Sequence, residues 1–212
     1  MKTADRFQTV LGSLQENGFL MESDPKLPSV CSLVTGEPLR GSWWSHPLAQ
    51  TIFQINEQLE DHEDVLITKL VSGKVTFVHR QIWSETIAIG RAHEVWQLKD
   101  LLQPVQALLS QIESRGSVTT AEVVWPRTAK MKLGDAAGEL EKKLLIVGTQ
   151  FHSESGAHQK QLETWEHWMK RRKFKAAKIS AQAAKAELEM RLSVLNAQFD
   201  ASAKLPWQRE GS

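Results

Sequence analysis

The chain has 212 residues, 41% of them hydrophobic and 24% charged, with a formal net charge of +1. This composition excludes disordered and collagen-like chains, and no apolar run approaches the ~20 residues that cross a bilayer. The first residues lack the apolar stretch of a signal peptide and the single cysteine, Cys31, cannot form an internal disulfide, so we expect a cytoplasmic protein.

The charge is distributed unevenly along the chain. Residues 1–114 contain nine Lys or Arg and fourteen Asp or Glu, whereas residues 115–178 contain thirteen and seven. A basic middle segment behind an acidic front favours either an anionic partner for the middle segment alone or a solvated basic face.

Apolar spacing predicts two helices near the front of the chain. The first covers residues 3–17, where apolar residues recur at helical intervals, and Gly18 is placed to cap it. The second begins near Pro47, with His46 or the serine before it as its cap. Residues 22–45 lie between the two helices and are expected to be an ordered but irregular connection because they carry no clear period.

A β-hairpin is predicted after the second helix. Residues 65–71 and 74–80 read as strands joined by a two-residue turn at Ser72-Gly73. That turn sets the register and places Leu66 and Phe77 on the same, core-facing side of the hairpin. A further helix is expected to follow from residue 83.

The middle of the chain carries a distinctive order of predicted elements. Pro104 opens a helix that ends near Gly116, Val118 is extended, and Thr119 with Glu122 forms a capping box for a short second helix that ends at Pro126. The remaining elements are a third helix over residues 135–144, a strand over 145–152 and a returning strand over 158–165.

This order resembles the winged helix-turn-helix superfamily over residues 101–165, with residues 116–122 and 137–146 as the matching blocks. The resemblance implies binding of double-stranded DNA, with the third helix in the major groove and the hairpin on the backbone. The residues that would contact phosphates are Arg127, Lys130, Lys132, Lys142, Lys143 and Lys160. Carboxylates on the third helix oppose that role, so a winged helix that serves as a protein-interaction module is an alternative.

No catalytic motif or metal-binding motif is found. Gln159-Lys160-Gln161 resembles the paired glutamines of a bacterial helix-turn-helix DNA glycosylase family, but its middle residue is charged and it falls late in the chain, so no catalytic role is assigned to it. Residues 41–47 and 65–74 are similar to bacterial proteins of no assigned activity. An enzyme or small-molecule binding protein therefore remains an alternative, with a pocket in the N-terminal domain formed by Trp43, Trp44, His46 and His79. No cofactor is expected.

The tail contains a basic run over residues 170–178 and a predicted long helix over residues 176–203. An apolar stripe at steps of four and three, from Ala177 to Phe199, requires a cover, which is either the protein's own core or a second copy in a homodimer.

Together these features predict an α+β fold that is mostly helical. The expected segments are an N-terminal α/β domain (residues 1–98), a winged-helix domain (99–168), and a basic segment with the long C-terminal helix (169–212). The favoured function is a DNA-binding winged-helix protein with a regulatory or repair-associated role.

Overall fold

The structure is a computed structural model that describes residues 2–126, 128–152 and 158–208, apart from the side chains of His152 and His158. It is an α+β fold in which helices predominate over two antiparallel three-stranded sheets. The helices of these residues are α1 (Thr3–Asn17), α2 (Val30–Thr35), α3 (Ala49–Asp61), α4 (Trp83–Gly90), α5 (Val95–Leu98), α6 (Gln103–Arg115), α7 (Leu133–Lys142), α8 (Trp165–Arg171) and α9 (Ala181–Gln198). The strands are β1 (Phe19–Met21), β2 (Val65–Thr68), β3 (Thr76–His79), β4 (Ser117–Thr119), β5 (Val147–His152) and β6 (His158–Glu163). No helix in the described ranges is both long enough and apolar enough to span a membrane.

The front helices follow the predicted pattern, with two corrections. The left-handed Gly18 (φ 82°) ends α1, and its N–H donates to the Leu14 carbonyl at 2.9 Å. The connection expected to be irregular contains α2, whose first turn is capped by the Ser29 hydroxyl. Helix α3 begins at Ala49, after Pro47 rather than at it.

The first sheet has the strand order β1-β3-β2, and its hairpin register differs by one residue from the predicted one. The Ser72-Gly73 turn forms, with the Lys74 N–H donating to the Val71 carbonyl, but the Thr76 hydroxyl then accepts the Val71 N–H at 3.1 Å. This side-chain bond replaces the next ladder bond, so Leu66 pairs with Val78 and Phe77 lies on the opposite face. Both faces are buried, so neither register would have exposed an apolar strand.

The second sheet has the order β4-β6-β5, with α6 and α7 packed on one side of it. The predicted short helix after Thr119 is wrong. The Glu122 carboxylate accepts bonds from the Thr119 N–H (2.8 Å) and hydroxyl (2.9 Å), as in a capping box, but no helix follows. Instead the Gln111 side chain bonds both the N–H and the carbonyl of Val124, and residues 123–126 belong to no helix or strand.

Helix α9 begins at residue 181, five residues later than predicted, because the Ser180 hydroxyl caps it and the preceding backbone bonds to Ser84. Its buried stripe packs against α4 and the tryptophans of α8. The buried members of the stripe are Ala184, Leu188, Leu192 and Leu195. The stripe that suggested a homodimer through this helix is therefore covered within the same chain.

Three clusters of buried side chains form the interior. One joins α1, α2 and α3 to one face of the first sheet, and another joins α6 and α7 to the second sheet. The third joins the other face of the first sheet to α4, α8 and α9, and it also includes Leu144 and Val147. The predicted boundary after residue 168 lies inside α8.

Candidate functional site

A cleft of about 680 Å³ opens between the two sheets. Its walls are the C-terminal half of α3, the 3₁₀ turn Trp43–Ser45 and β2 on one side, and β5, β6 and the end of α7 on the other. The volume is in the range that accommodates a drug-sized ligand. The site therefore depends on how two separately paired sheets are placed against each other.

One wall of the cleft is aromatic. Trp43 is buried, whereas Trp44 is 65% exposed, and their rings stack with centroids 4.0 Å apart and an interplanar angle of 22°. Phe53 of α3 lies at 6.2 Å from the Trp44 ring, and Phe151 of β5 approaches from the opposite wall. An exposed indole held by a buried one offers a flat surface for stacking at little conformational cost.

The cleft wall formed by α3 is acidic at its C-terminal end. Glu57, Glu60 and Asp61 project from the last two turns of α3, and Glu22 follows β1. Burial, together with the charges of Asp61, Glu57 and Glu22, raises the pKa of Glu60 to about 7, and the positive charge of Lys160 only partly opposes this. Burial also raises the pKa of Glu22, against the effect of its hydrogen bond from Trp43.

A buried ion cluster closes the floor of the cleft. Glu141 of α7 is 4% exposed and lies between Lys69 Nζ (3.2 Å from Oε2) and Lys160 Nζ (2.5 Å from Oε1). Gly148 of β5 is required here, because a Cβ at this position would overlap both the Glu141 carboxylate and the Lys160 side chain. The two lysines are thus used to neutralise Glu141 and connect the two sheets.

Three buried polar atoms in the cleft wall have no hydrogen-bond partner among the described residues: Asn56 Oδ1, Thr68 Oγ1 and Glu141 Oε2, of which the last forms an ion pair with Lys69. The Asn56 side chain donates from Nδ2 to Glu22 Oε1 at 3.2 Å, and its Oδ1 is unpaired. The Thr68 Oγ1 of β2 is also unpaired. Asn56 is 8% exposed and Thr68 is 7% exposed, so bulk water does not readily satisfy either group.

Comparison with known proteins identifies the family. A family model described as AlkZ related matches residues 4–205. The chain belongs to the AlkZ-related family. No curated protein and no solved structure was found to match it.

Only two of the four residues predicted to form a pocket in this AlkZ-related protein lie in the cleft. Trp43 and Trp44 line the cleft, but His46 and His79 are not among its lining residues. The Nδ1 of His46 accepts the Leu48 N–H at 3.1 Å, and the Nδ1 of His79 accepts the Gln81 N–H at 3.4 Å. Both histidines therefore cap turns of the backbone.

The predicted phosphate-binding residues are in different surroundings. Lys130, Lys132 and Lys142 are exposed, and none of them forms an ion pair with another described residue. Lys143 Nζ donates to the carbonyls of Trp96 and Lys99, and Lys160 is bound to Glu141 in the cleft. Arg127 lies outside the described residues.

The paired glutamines lie on β6, at either side of Lys160. Gln161 Nε2 donates to the Ser117 hydroxyl at 2.9 Å on the neighbouring β4, and Gln159 pairs with Phe151 of β5. Gln161 thus has a contact within the sheet, and neither glutamine lines the cleft as Lys160 does.

Sequence reasoning missed the acidic and amide residues of the cleft. One signal was present, because the predicted second helix ends in a run of carboxylates where the negative end of the helix dipole disfavours them. Such a run indicates that something other than helix stability holds Glu60 and Asp61 in place. Asn56, Thr68 and Glu141 carry no comparable local signal.

Replacing Glu60 by glutamine is expected to stabilise the protein at pH 8 but not at pH 5. The carboxyl group titrates near pH 4.5 when unfolded and near 7 when folded, so stability is lost as pH rises between these values. Because the side chain is partly exposed, we expect the variant to gain about 1 kcal/mol at pH 8. Urea unfolding at the two pH values measures the difference. Glu113→Gln, at an exposed position of α6, should show no pH-dependent gain, and an equal gain in both variants would contradict the assignment.

Proposed function

We propose that this protein binds double-stranded DNA in a repair-associated role. Membership of the AlkZ-related family over residues 4–205 is the observation that carries the proposal, since AlkZ is a DNA repair-related family. A regulatory role has no comparable support.

The proposal includes a winged-helix unit formed by residues 101–165. The order α6, β4, α7, β5, β6 and the antiparallel sheet that pairs β4 with the β5–β6 hairpin support this unit. The described residues between β4 and α7 are not helical, so the helices of the unit would be α6 and α7, followed by the hairpin. The contacts to DNA would then depend on phosphates more than on base edges, because α7 carries Asp135 and Glu139.

The exposed lysines around α7 supply the phosphate contacts in this proposal. Lys130 and Lys132 precede the helix, and Lys142 is its last residue. The exposed positions Lys170, Lys173, Lys175 and Lys178 extend the positive charge toward the tail. Each phosphate contact made by a lysine releases counterions, which makes affinity depend steeply on salt concentration.

Fluorescence anisotropy of the full chain with a random-sequence duplex at 50 and 200 mM salt tests the proposal. The triple substitution Lys130→Ala, Lys132→Ala and Lys142→Ala is expected to weaken binding and to reduce the slope of log affinity against log salt by about 3. A matched control replaces Lys2, Arg40 and Lys99, which are equally exposed in the acidic front of the chain. Absence of duplex binding at 50 mM salt, or equal loss in both triple variants, would overturn the proposal.

A further inference from the structure

The charge of the inter-sheet cleft is unsuited to phosphate. Its two lysines are both bound to Glu141, whereas Glu22, Glu57, Glu60 and Asp61 form no ion pair with another described residue. Four carboxyl groups on one wall, whose negative charge Lys160 only partly opposes, attract a cation and repel an anion. The cleft therefore requires a ligand different from the DNA backbone.

The aromatic wall also favours a cation. The Trp44 ring is 65% exposed and stacks on the buried Trp43, so its outer face remains available. Indole faces attract cations electrostatically, and a planar cation also stacks on them.

The unpaired buried atoms favour a cationic ligand that donates hydrogen bonds. Asn56 Nδ2 donates to the carboxyl group of Glu22, so Oδ1 is the atom of this amide that lacks a partner. Thr68 Oγ1 is similarly unpaired in the neighbouring β2. An amide oxygen only accepts hydrogen bonds, and leaving it buried and unpaired is unfavourable, so the ligand should place an N–H group there.

We propose that the inter-sheet cleft binds a guanidinium group through the Trp44 face, the α3 carboxylates and Asn56 Oδ1. Guanidinium is planar, is positively charged at all relevant pH values and carries five N–H donors in a fixed arrangement. An ammonium group has the charge and the donors but not the flat surface. The volume of about 680 Å³ leaves room for the rest of a larger molecule, which is either a small compound or the arginine-bearing segment of a protein.

Isothermal titration calorimetry of the full chain with agmatine, at low salt and pH 8, tests this proposal. N-carbamoylputrescine, in which an uncharged urea replaces the guanidinium, is the matched ligand and is expected to bind at least about tenfold more weakly. A capped tripeptide with a central arginine distinguishes the sources. Tighter binding of the peptide than of agmatine indicates a protein arginine, and tighter binding of agmatine indicates a small compound.

Substitutions of cleft residues test whether agmatine binds in the inter-sheet cleft. Trp44→Ala and Asn56→Leu are each expected to weaken agmatine binding about tenfold, whereas Val124→Ala, at another exposed apolar position, should leave it unchanged. Trp44 is exposed, so its replacement leaves the core intact and keeps the test valid if Asn56→Leu fails to fold.

The dependence on pH provides a second measurement. The groups that face Glu60 are Glu22, Glu57, Asp61 and Lys160, and ionisation of Glu60 adds one negative charge to the site. Agmatine affinity should therefore rise about tenfold from pH 6 to pH 8, and Glu60→Gln should flatten the profile.

Three outcomes would overturn the proposal. They are no binding of agmatine at about 10 mM, equal affinity for agmatine and its urea analogue, and an equal loss of agmatine affinity in the Trp44 and Val124 variants. These outcomes are separate from the DNA titration, because the lysines tested there do not line the cleft.

Discussion

Replacing Gly90 by alanine is expected to destabilise the protein by about 3 kcal/mol, although alanine normally favours a helix over glycine. Gly90 is the last residue of α4, and a Cβ built there would overlap the indole of Trp165. The indole has no room to retreat, since it is 2% exposed and its Nε1 donates to the Leu144 carbonyl at 2.7 Å. The substitution must therefore break this bond or separate α4 from α8.

Gly12→Ala is the matched control for this prediction. Gly12 lies in the middle of α1, and nothing lies within 4 Å of a Cβ at that position. The same chemical change should here stabilise the protein by up to about 1 kcal/mol. Urea unfolding followed by tryptophan fluorescence compares the two variants. A Gly90→Ala midpoint at or above that of the unmodified protein would show that α4 and α8 are not packed as described.

Replacing Arg171 by methionine is expected to cost about 3 kcal/mol, because it leaves a buried carboxylate with half of its partners. Glu163 at the end of β6 is fully buried, and Arg171 reaches it with Nε at 2.9 Å and a terminal nitrogen at 2.5 Å. The remaining partner is His167, whose Nδ1 lies 2.8 Å from Oε1.

Three further variants, Arg91→Met, Glu163→Leu and the double change Arg171→Met with Glu163→Leu, distinguish this from a general effect of removing an arginine. Arg91→Met removes a bond of similar length, 2.7 Å, to Glu166, whose side chain is 60% exposed, and should cost no more than about 1 kcal/mol. Combining Arg171→Met with Glu163→Leu should cost less than the sum of the single changes, because no unpaired charge remains. Chemical denaturation measures the stability of the four variants and of the unmodified protein. Equal losses for Arg91→Met and Arg171→Met would contradict the burial of Glu163.

The interactions within short stretches of chain were predicted well. Helix α1 with its Gly18 cap, and α6 with its opening Pro104 and closing Gly116, follow from apolar period and end residues alone. The strands β4, β5 and β6 were also placed to within a few residues. For the two helices, the capping contacts that decide their ends lie within a few positions of one another.

Of the two main errors, one depends on a contact between separate elements and the other on a single local side-chain bond. The capping box at Thr119 formed without a helix, because Gln111 of the preceding helix bonds the backbone that the helix would have used. The hairpin register moved by one residue through a single hydroxyl, that of Thr76. The Gln111 bond depends on where the segment after β4 lies against α6, whereas the Thr76 bond is local, and the two-residue turn pattern did not distinguish it from the next ladder bond.

The sequence predicted only part of the candidate site. Trp43 and Trp44, which were predicted to form a pocket, lie in the cleft wall. The histidines were chosen for their chemistry and proved to cap turns. Lys160 was assigned to phosphate from its charge, but Glu141 in α7 neutralises it.

The sequence by itself determined the α+β class, the positions of most helices and strands, and the acidic front and basic middle of the chain. Only the tertiary structure decided that the stripe of α9 is covered by the chain's own core and that an acidic, aromatic cleft separates the two sheets. The physical reason is that the cleft depends on contacts between distant residues, such as Asn56 with Glu22 and Lys69 with Glu141. Such contacts produce no local periodicity or residue spacing in the sequence.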